Sequence, residues 1–228
     1  VGAGGTIDVS VLGVGDVPTS GVSAIVLNVT ATQASAAGFV TVWPQGAPQP
    51  LASVLNLNGA GDTAPNLVIV PISATGMVSF YSQSGTHLLA DVTGYVTDAD
   101  APVDDAGLFV PLSPTRVFDT RPGQPAPGPK GVVGATATIA PTVAGAAGIP
   151  DIASAAVLNT TATEAATGFV TAWPDGLPRP LASTLNLIGP DDTRPNAAIL
   201  PVGAGGRIAF YTQSGAHLLA DTAGYYLG

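Results

Sequence analysis

The chain is predicted to be all-β, built from two tandem sandwich-like modules of the jelly-roll or Greek-key kind. Three observations carry that expectation. The sequence repeats itself: Gly38–Leu57 and Gly168–Leu187 differ only at Val42/Ala172, Gln45/Asp175, Ala47/Leu177, Gln49/Arg179 and Val54/Thr184. A second block, QSGTHLLADVTGY from Gln83, returns as QSGAHLLADTAGY from Gln213. Short runs rich in Val, Ile, Thr, Phe and Tyr recur at roughly 8–12-residue spacing between Gly and Pro, as in sandwiches and barrels. Finally, no window longer than about ten residues keeps a helical period.

The first repeat reads as strands at Gly5–Val11, Ser23–Thr32, Gly38–Trp43, Ala52–Leu57, Asn66–Ile72, Met77–Ser82 and His87–Val96. Val, Ile, Thr and aromatic side chains suit a pleated, half-buried surface, which is why these runs are read as strands. Met77–Ser82 partly alternates between apolar and polar residues, implying one core face and one wet face. Turn chemistry separates the runs: Trp43-Pro44-Gln45-Gly46, Ala74-Thr75-Gly76 and Gln83-Ser84-Gly85, with Gly supplying positive φ. The Ala-rich pieces Ala34–Ala37 and Ala144–Ala147 read as loops or single turns. The second repeat reads likewise, with strands at Thr136–Val143, Ala153–Thr163, Gly168–Trp173, Ala182–Leu187, Asn196–Val202, Arg207–Thr212 and His217–Tyr226.

This division gives a first repeat over 1–97, an acidic linker over 98–107 (Asp98, Asp100, Asp104, Asp105), and a second repeat over 108–228. The 228 residues suit two domains of roughly 100 residues each. The second repeat opens with Leu108–Arg121, LFVPLSPTRVFDTR, which the first lacks. If that segment is an integral strand, the first repeat has a bare sheet edge, a template for another chain. A neighbouring chain's segment, or this chain's own Leu108–Arg121 folded backward, could fill it. The plain alternative is that the sequence is a fragment. Val1 opens on a strand-like run with no leader, which fits a mature or trimmed chain.

Composition narrows the function classes. Net charge is −9, and one Lys and five scattered Arg leave nothing to neutralise phosphates, so no nucleic-acid partner is expected. Without cysteine there are no disulfides and no thiol chemistry. No apolar run reaches about 18 residues, so no helical membrane insertion is expected.

The linked motifs carry a resemblance. Pro114-Thr115-Arg116-Val117-Phe118-Asp119-Thr120-Arg121, Leu27–Thr32, Gly38–Pro44, Ser53–Asn56, Asn66–Pro71 and Ala90–Tyr95, with second copies from Leu158, Gly168, Ser183, Asn196 and Ala220, resemble a repeat module of many secreted actinobacterial proteins. The resemblance covers essentially the whole chain. It implies secretion and attachment beside peptidase or glycosidase domains or in tandem arrays, with no settled ligand or activity. The first repeat departs from it by lacking the DTR segment, and the second by Thr160 and Ala198 where Val is usual.

Each candidate site has a structural reading beside its functional one. Ser84, His87 and Asp91, repeated as Ser214, His217 and Asp221, invite comparison with a catalytic triad. On a strand, however, His and Asp at i and i+4 lie about 13 Å apart, too far for Asp to orient the imidazole. No catalytic residue, cofactor or metal is therefore expected. Arg116, Asp119 and Arg121 form a carboxylate between two guanidiniums, read as an ion-pair cluster locking the 108–121 segment down; an anionic ligand is the rival use. Trp43, Asn56, Asn66 and their counterparts Trp173, Asn186 and Asn196 are the candidate ligand-binding set. Sugars would stack on exposed indoles beside the amides, whereas buried indoles and amides capping backbone groups would be structural. Asn28 and Asn159 also head glycosylation-type triplets. The acidic linker could in principle bind calcium, but is read as a solvated segment.

The expected function is a non-enzymatic extracellular surface or assembly protein, self-associating by strand or edge sharing. The alternative is a carbohydrate-binding pair targeting a polysaccharide or cell wall.

Overall fold

The computed structural model describes residues 1–101 and 104–228. Its chain divides into two compact units, Val1–Val103 and Asp104–Gly228. Pro102 and Val103, within the expected linker, lie outside the described residues.

Unit 1 contains β1 (Gly5–Ser10), β2 (Val22–Thr32), β3 (Gly38–Pro44), β4 (Leu55–Leu57), β5 (Ala64–Pro71), β6 (Met77–Ser82) and β7 (His87–Thr97). One sheet runs β1-β6-β3-β4 and the other β5-β2-β7, with every pairing antiparallel. The inward residues of both sheets meet in a single core: Ile25, Leu27 and Val29 from β2 pack with Val40 of β3 and Val78 and Phe80 of β6.

Unit 2 contains β8 (Phe109–Asp119), β9 (Thr138–Ile139), β10 (Ala153–Ala165), β11 (Gly168–Pro174), β12 (Leu185–Leu187), β13 (Asp192–Pro201), β14 (Ile208–Thr212) and β15 (His217–Leu227). Its sheets run β12-β11-β14-β9 and β13-β10-β15-β8. The first strand of the unit thus pairs with its last and the second with its seventh, which is the eight-stranded, two-sheet jelly roll. Phe118, Leu158, Leu185, Ile208, Phe210 and Leu218 fill its core. Over the described residues, β1–β7 of unit 1 repeat the topology of β9–β15.

The structure revises three strand readings. The runs expected at Ala52–Leu57 and Ala182–Leu187 pair only over their last three residues. Thr136–Val143 shrinks to Thr138–Ile139, since Pro141 has no N–H to give and Val143 turns its N–H to the Gly206 carbonyl. The segment Leu108–Arg121, read from its motif, is strand β8 over most of its length. It pairs with β15 of its own unit rather than folding backward onto unit 1. At the ends of the expected linker, Asp98 N–H donates to the Gly21 carbonyl, and Gly107 N–H to that of Leu227.

Candidate functional site: the sheet edge at β7 and β15

β15 and β7 are equivalent last strands with nearly the same sequence, but their surroundings differ. In unit 2, β8 lies along β15 in register Leu219↔Asp119, Ala220↔Phe118, Asp221↔Arg116 and Gly224↔Pro111. Pro111 and Pro114 are tolerated because β8 is an edge strand, and they blunt that edge against further pairing. In unit 1, among the described residues, β7 pairs with β2 alone. It carries no Pro, Lys or Arg, and Asp91 is its sole carboxylate. The consequence shows in exposure: Leu89 is 50% exposed where Leu219 is 7%. Val92, Tyr95 and Val96 are also exposed apolar residues of β7.

An ion-pair cluster fastens β8. Arg116 Nε donates to Asp221 Oδ1 at 2.5 Å and its Nη2 to Oδ2 at 3.3 Å, while its Nη1 donates to Asp119 Oδ2. Arg121 grips Asp119 from the other side, through Nη2 at 2.7 Å and through its backbone N–H at 2.9 Å. Asp119 is fully buried. Its burial alone would raise its pKa; the hydrogen bonds and charge of Arg121, with the charge of Arg116, outweigh that and hold it at about 2. Lys130 Nζ donates to the Asp119 carbonyl at 2.7 Å. Thr120 continues the seam: its N–H donates to the Leu218 carbonyl, and its hydroxyl accepts from Leu218 N–H and lies 3.2 Å from His217 Nδ1. Phe118 packs on Phe210 with ring centroids 5.0 Å apart.

Unit 1 keeps the receiving half of this arrangement. Asp91 stands where Asp221 does, and among the described residues it has no ion-pair partner; partial burial raises its pKa. His87 is exposed where His217 is buried. Phe80, equivalent to Phe210, joins no ring pair among the described residues. Gly224 is needed in unit 2, since a Cβ there would come within 2.6 Å of the Val110 carbonyl oxygen. At Gly94 the nearest atoms would be those of Val26, 3.9 Å away.

The other candidates have structural roles. Trp43 and Trp173 are each only 8% exposed, and their indole N–H groups donate to the Ala47 and Leu177 carbonyls. They are therefore not the exposed stacking platforms a sugar site requires. Asn66 and Asn196 donate to the Val54 and Thr184 carbonyls, bracing one sheet against the other. Asn56 and Asn186 bond the nearby Ser53 and Ser183 hydroxyls. Ser214, His217 and Asp221 have separate partners: the Ala166 carbonyl, Thr120 and Arg116. In the acidic linker, Asp98 and Asp104 accept from the N–H groups of Asp100 and Ala106.

Two features were not anticipated from the sequence. Leu51 and Leu181 are fully exposed at equivalent positions, and the Arg179 guanidinium lies 3.8 Å from the Tyr211 ring centroid. The first follows from Pro-rich loops that cannot join a sheet. The second had only the Gln49/Arg179 difference as a signal.

The fold defines a tandem of two β units, each of two packed antiparallel sheets, the second an eight-stranded jelly roll. No protein-family model matches the chain, and no curated protein matches it in sequence.

Proposed function

We propose that this is a non-enzymatic extracellular surface or assembly protein whose rigid β units join through sheet edges. The observation that carries the reading is the duplication of one β unit: two units with separate cores repeat nearly the same strands, and β7 presents Leu89, Val92, Tyr95 and Val96 exposed. An unblunted apolar edge strand is a liability in a free domain and a docking surface in an assembled one. The low content of charged side chains, 9%, fits a protein that works in contact with others rather than by charge. Secretion is supported by the motif resemblance. The carbohydrate-binding alternative is less well supported, because its two indoles are buried.

Sedimentation velocity across a concentration series, with electron microscopy of the native material, tests the reading. Concentration-dependent oligomers that are lost in Leu89→Lys are expected. A strict monomer whose β7 amides exchange as slowly as those of β15 would overturn it.

A further inference from the structure

The sheet holding β3 in unit 1 and the sheet holding β11 in unit 2 carry the same arrangement of rings and amides on their outer faces. Val40 and Val42 of β3 belong to the core, so Phe39, Thr41 and Trp43 take the opposite face. Thr41 stands across from Tyr81, and Phe39 across from Asn56. The Phe39 and Tyr81 rings, both half-buried, have centroids 5.9 Å apart and planes tilted by 46°. Unit 2 builds the pair again from Phe169 and Tyr211, also 5.9 Å apart, with Asn186 across from Phe169. On the same faces, the buried Thr41 and Thr171 hydroxyls have no hydrogen-bond partner among the described residues. Both units thus hold, beside their ring pair, a polar group that their own fold does not use.

The two units differ in what lies on the tyrosine. In unit 2 the Arg179 guanidinium, a flat group, sits 3.8 Å from the Tyr211 centroid. Its counterpart in unit 1 is the exposed Gln49, and among the described residues no cation lies over Tyr81. Asn56 is exposed beside this open ring; its Oδ1 accepts from the Ser53 hydroxyl at 3.1 Å, and its Nδ2 donates to no described residue. We propose that the Phe39–Tyr81 face of unit 1 binds a neutral pyranose ring of a β-1,4-linked glycan, stacked on Tyr81 and held at its hydroxyl rim by the Asn56 amide, and that Arg179 occupies the equivalent place in unit 2. A pyranose offers an apolar C–H face to an aromatic ring and hydroxyls to an amide, and the flat ribbon of a β-1,4-linked chain offers that face at every residue. The charge pattern selects a neutral sugar. Net charge is −9, and Asp8, bonded to Ser79 on this same face, has no cation partner among the described residues. The buried Trp43 takes no part. The proposal goes beyond the edge-sharing reading and does not need it, since β3 and β6 are the two inner strands of their sheet.

The test titrates the isotope-labelled full chain with cellohexaose, xylohexaose and chitohexaose, and with polygalacturonate as the acidic comparison, following amide shifts by NMR. At least one neutral saccharide should give saturable shifts along Phe39–Trp43 and around Tyr81, while Gly168–Pro174 stay still. Gln49→Arg should weaken that binding roughly tenfold by laying a guanidinium on Tyr81. Arg179→Gln should uncover Tyr211 and bring a second set of shifts in β11 and β14, raising the stoichiometry from one to two. Both exchanged side chains are exposed, so both variants keep the fold. Tyr81→Ala should abolish the shifts in unit 1 and Tyr81→Phe should retain them. A ring pair that only braced the sheet would respond to neither exchange at positions 49 and 179.

Three results would overturn the proposal. One is no shift with any of the three neutral saccharides at millimolar concentration. Another is binding indifferent to Gln49→Arg and Arg179→Gln, or mapping to a different surface. The third is tighter binding of polygalacturonate than of every neutral saccharide. None of these touches the sedimentation test of edge sharing, so the two readings stand or fall separately.

Discussion

Phe118→Ala gives the sharpest test of β8 as part of the interior of unit 2. The ring is fully buried, packs on Phe210 at 5.0 Å and belongs to the core with Leu158, Leu218 and Ile208. Truncating a buried Phe to Ala removes apolar burial and leaves a cavity, typically about 3–5 kcal/mol. Because β8 is an edge strand and can relax inward, the expected loss is at the lower end, about 3 kcal/mol. For a unit of about 125 residues that lowers the melting temperature by roughly 10–15 °C. The two tryptophans supply the assay, since Trp43 lies in unit 1 and Trp173 in unit 2 and both are buried. Single-tryptophan backgrounds, Trp43→Phe and Trp173→Phe, let thermal unfolding be followed by fluorescence in one unit at a time. The Trp173 transition should fall and the Trp43 transition should stay. A shift below about 1 kcal/mol would show that β8 is a loosely laid strap. An equal shift in both transitions would show that the two units do not have separate interiors.

Further outcomes follow from the same seam. Asp119 has a folded pKa of about 2 against 3.8 when unfolded, so it stabilises unit 2 fully above about pH 4 and loses that contribution as pH falls towards 2. Allowing for solvent around Arg116 and Arg121, the contribution is about 1–2 kcal/mol, and Asp119→Asn should flatten the acid limb of the Trp173 transition. Thr120→Val leaves the Leu218 N–H without its hydroxyl acceptor, at a cost of about 1–2 kcal/mol measurable by urea unfolding of unit 2. Gly224→Ala must push against the Val110 carbonyl and the Phe109 ring and should cost unit 2 about 1–3 kcal/mol, whereas Gly94→Ala should leave unit 1 within about 0.5 kcal/mol. Equal losses from those two substitutions would contradict the difference in space at the two glycines.

Much of the architecture was legible because duplication and turn chemistry are local signals. Met77–Ser82 is a strand to the residue, bounded by Gly76 and the Gln83-Ser84-Gly85 turn. What was not legible depends on long-range partners. Trp43 looks the same in sequence whether its indole faces water or folds onto the Ala47 carbonyl. Asn66 gives no hint that its amide reaches back to Val54, twelve residues earlier, and so braces two sheets. The short β9 yields to Pro141 and to the Gly206 carbonyl, which compete for a run that by composition should be longer. The motif around Arg116 and Asp119 was recognisable as an ion-pair cluster. With Arg121 already in that cluster, its fourth member, Asp221, comes from a strand about a hundred residues away and is visible only once β8 and β15 are paired.

The contrast between the two edges also limits how copies of this chain can meet. Two β7 strands could pair antiparallel about their centre at Val92. That register sets Asp91 of each strand opposite Thr93 of the other and brings the two carboxylates close on the diagonal, an unfavourable like-charge contact. Exchanging β8 between copies closes no additional edge.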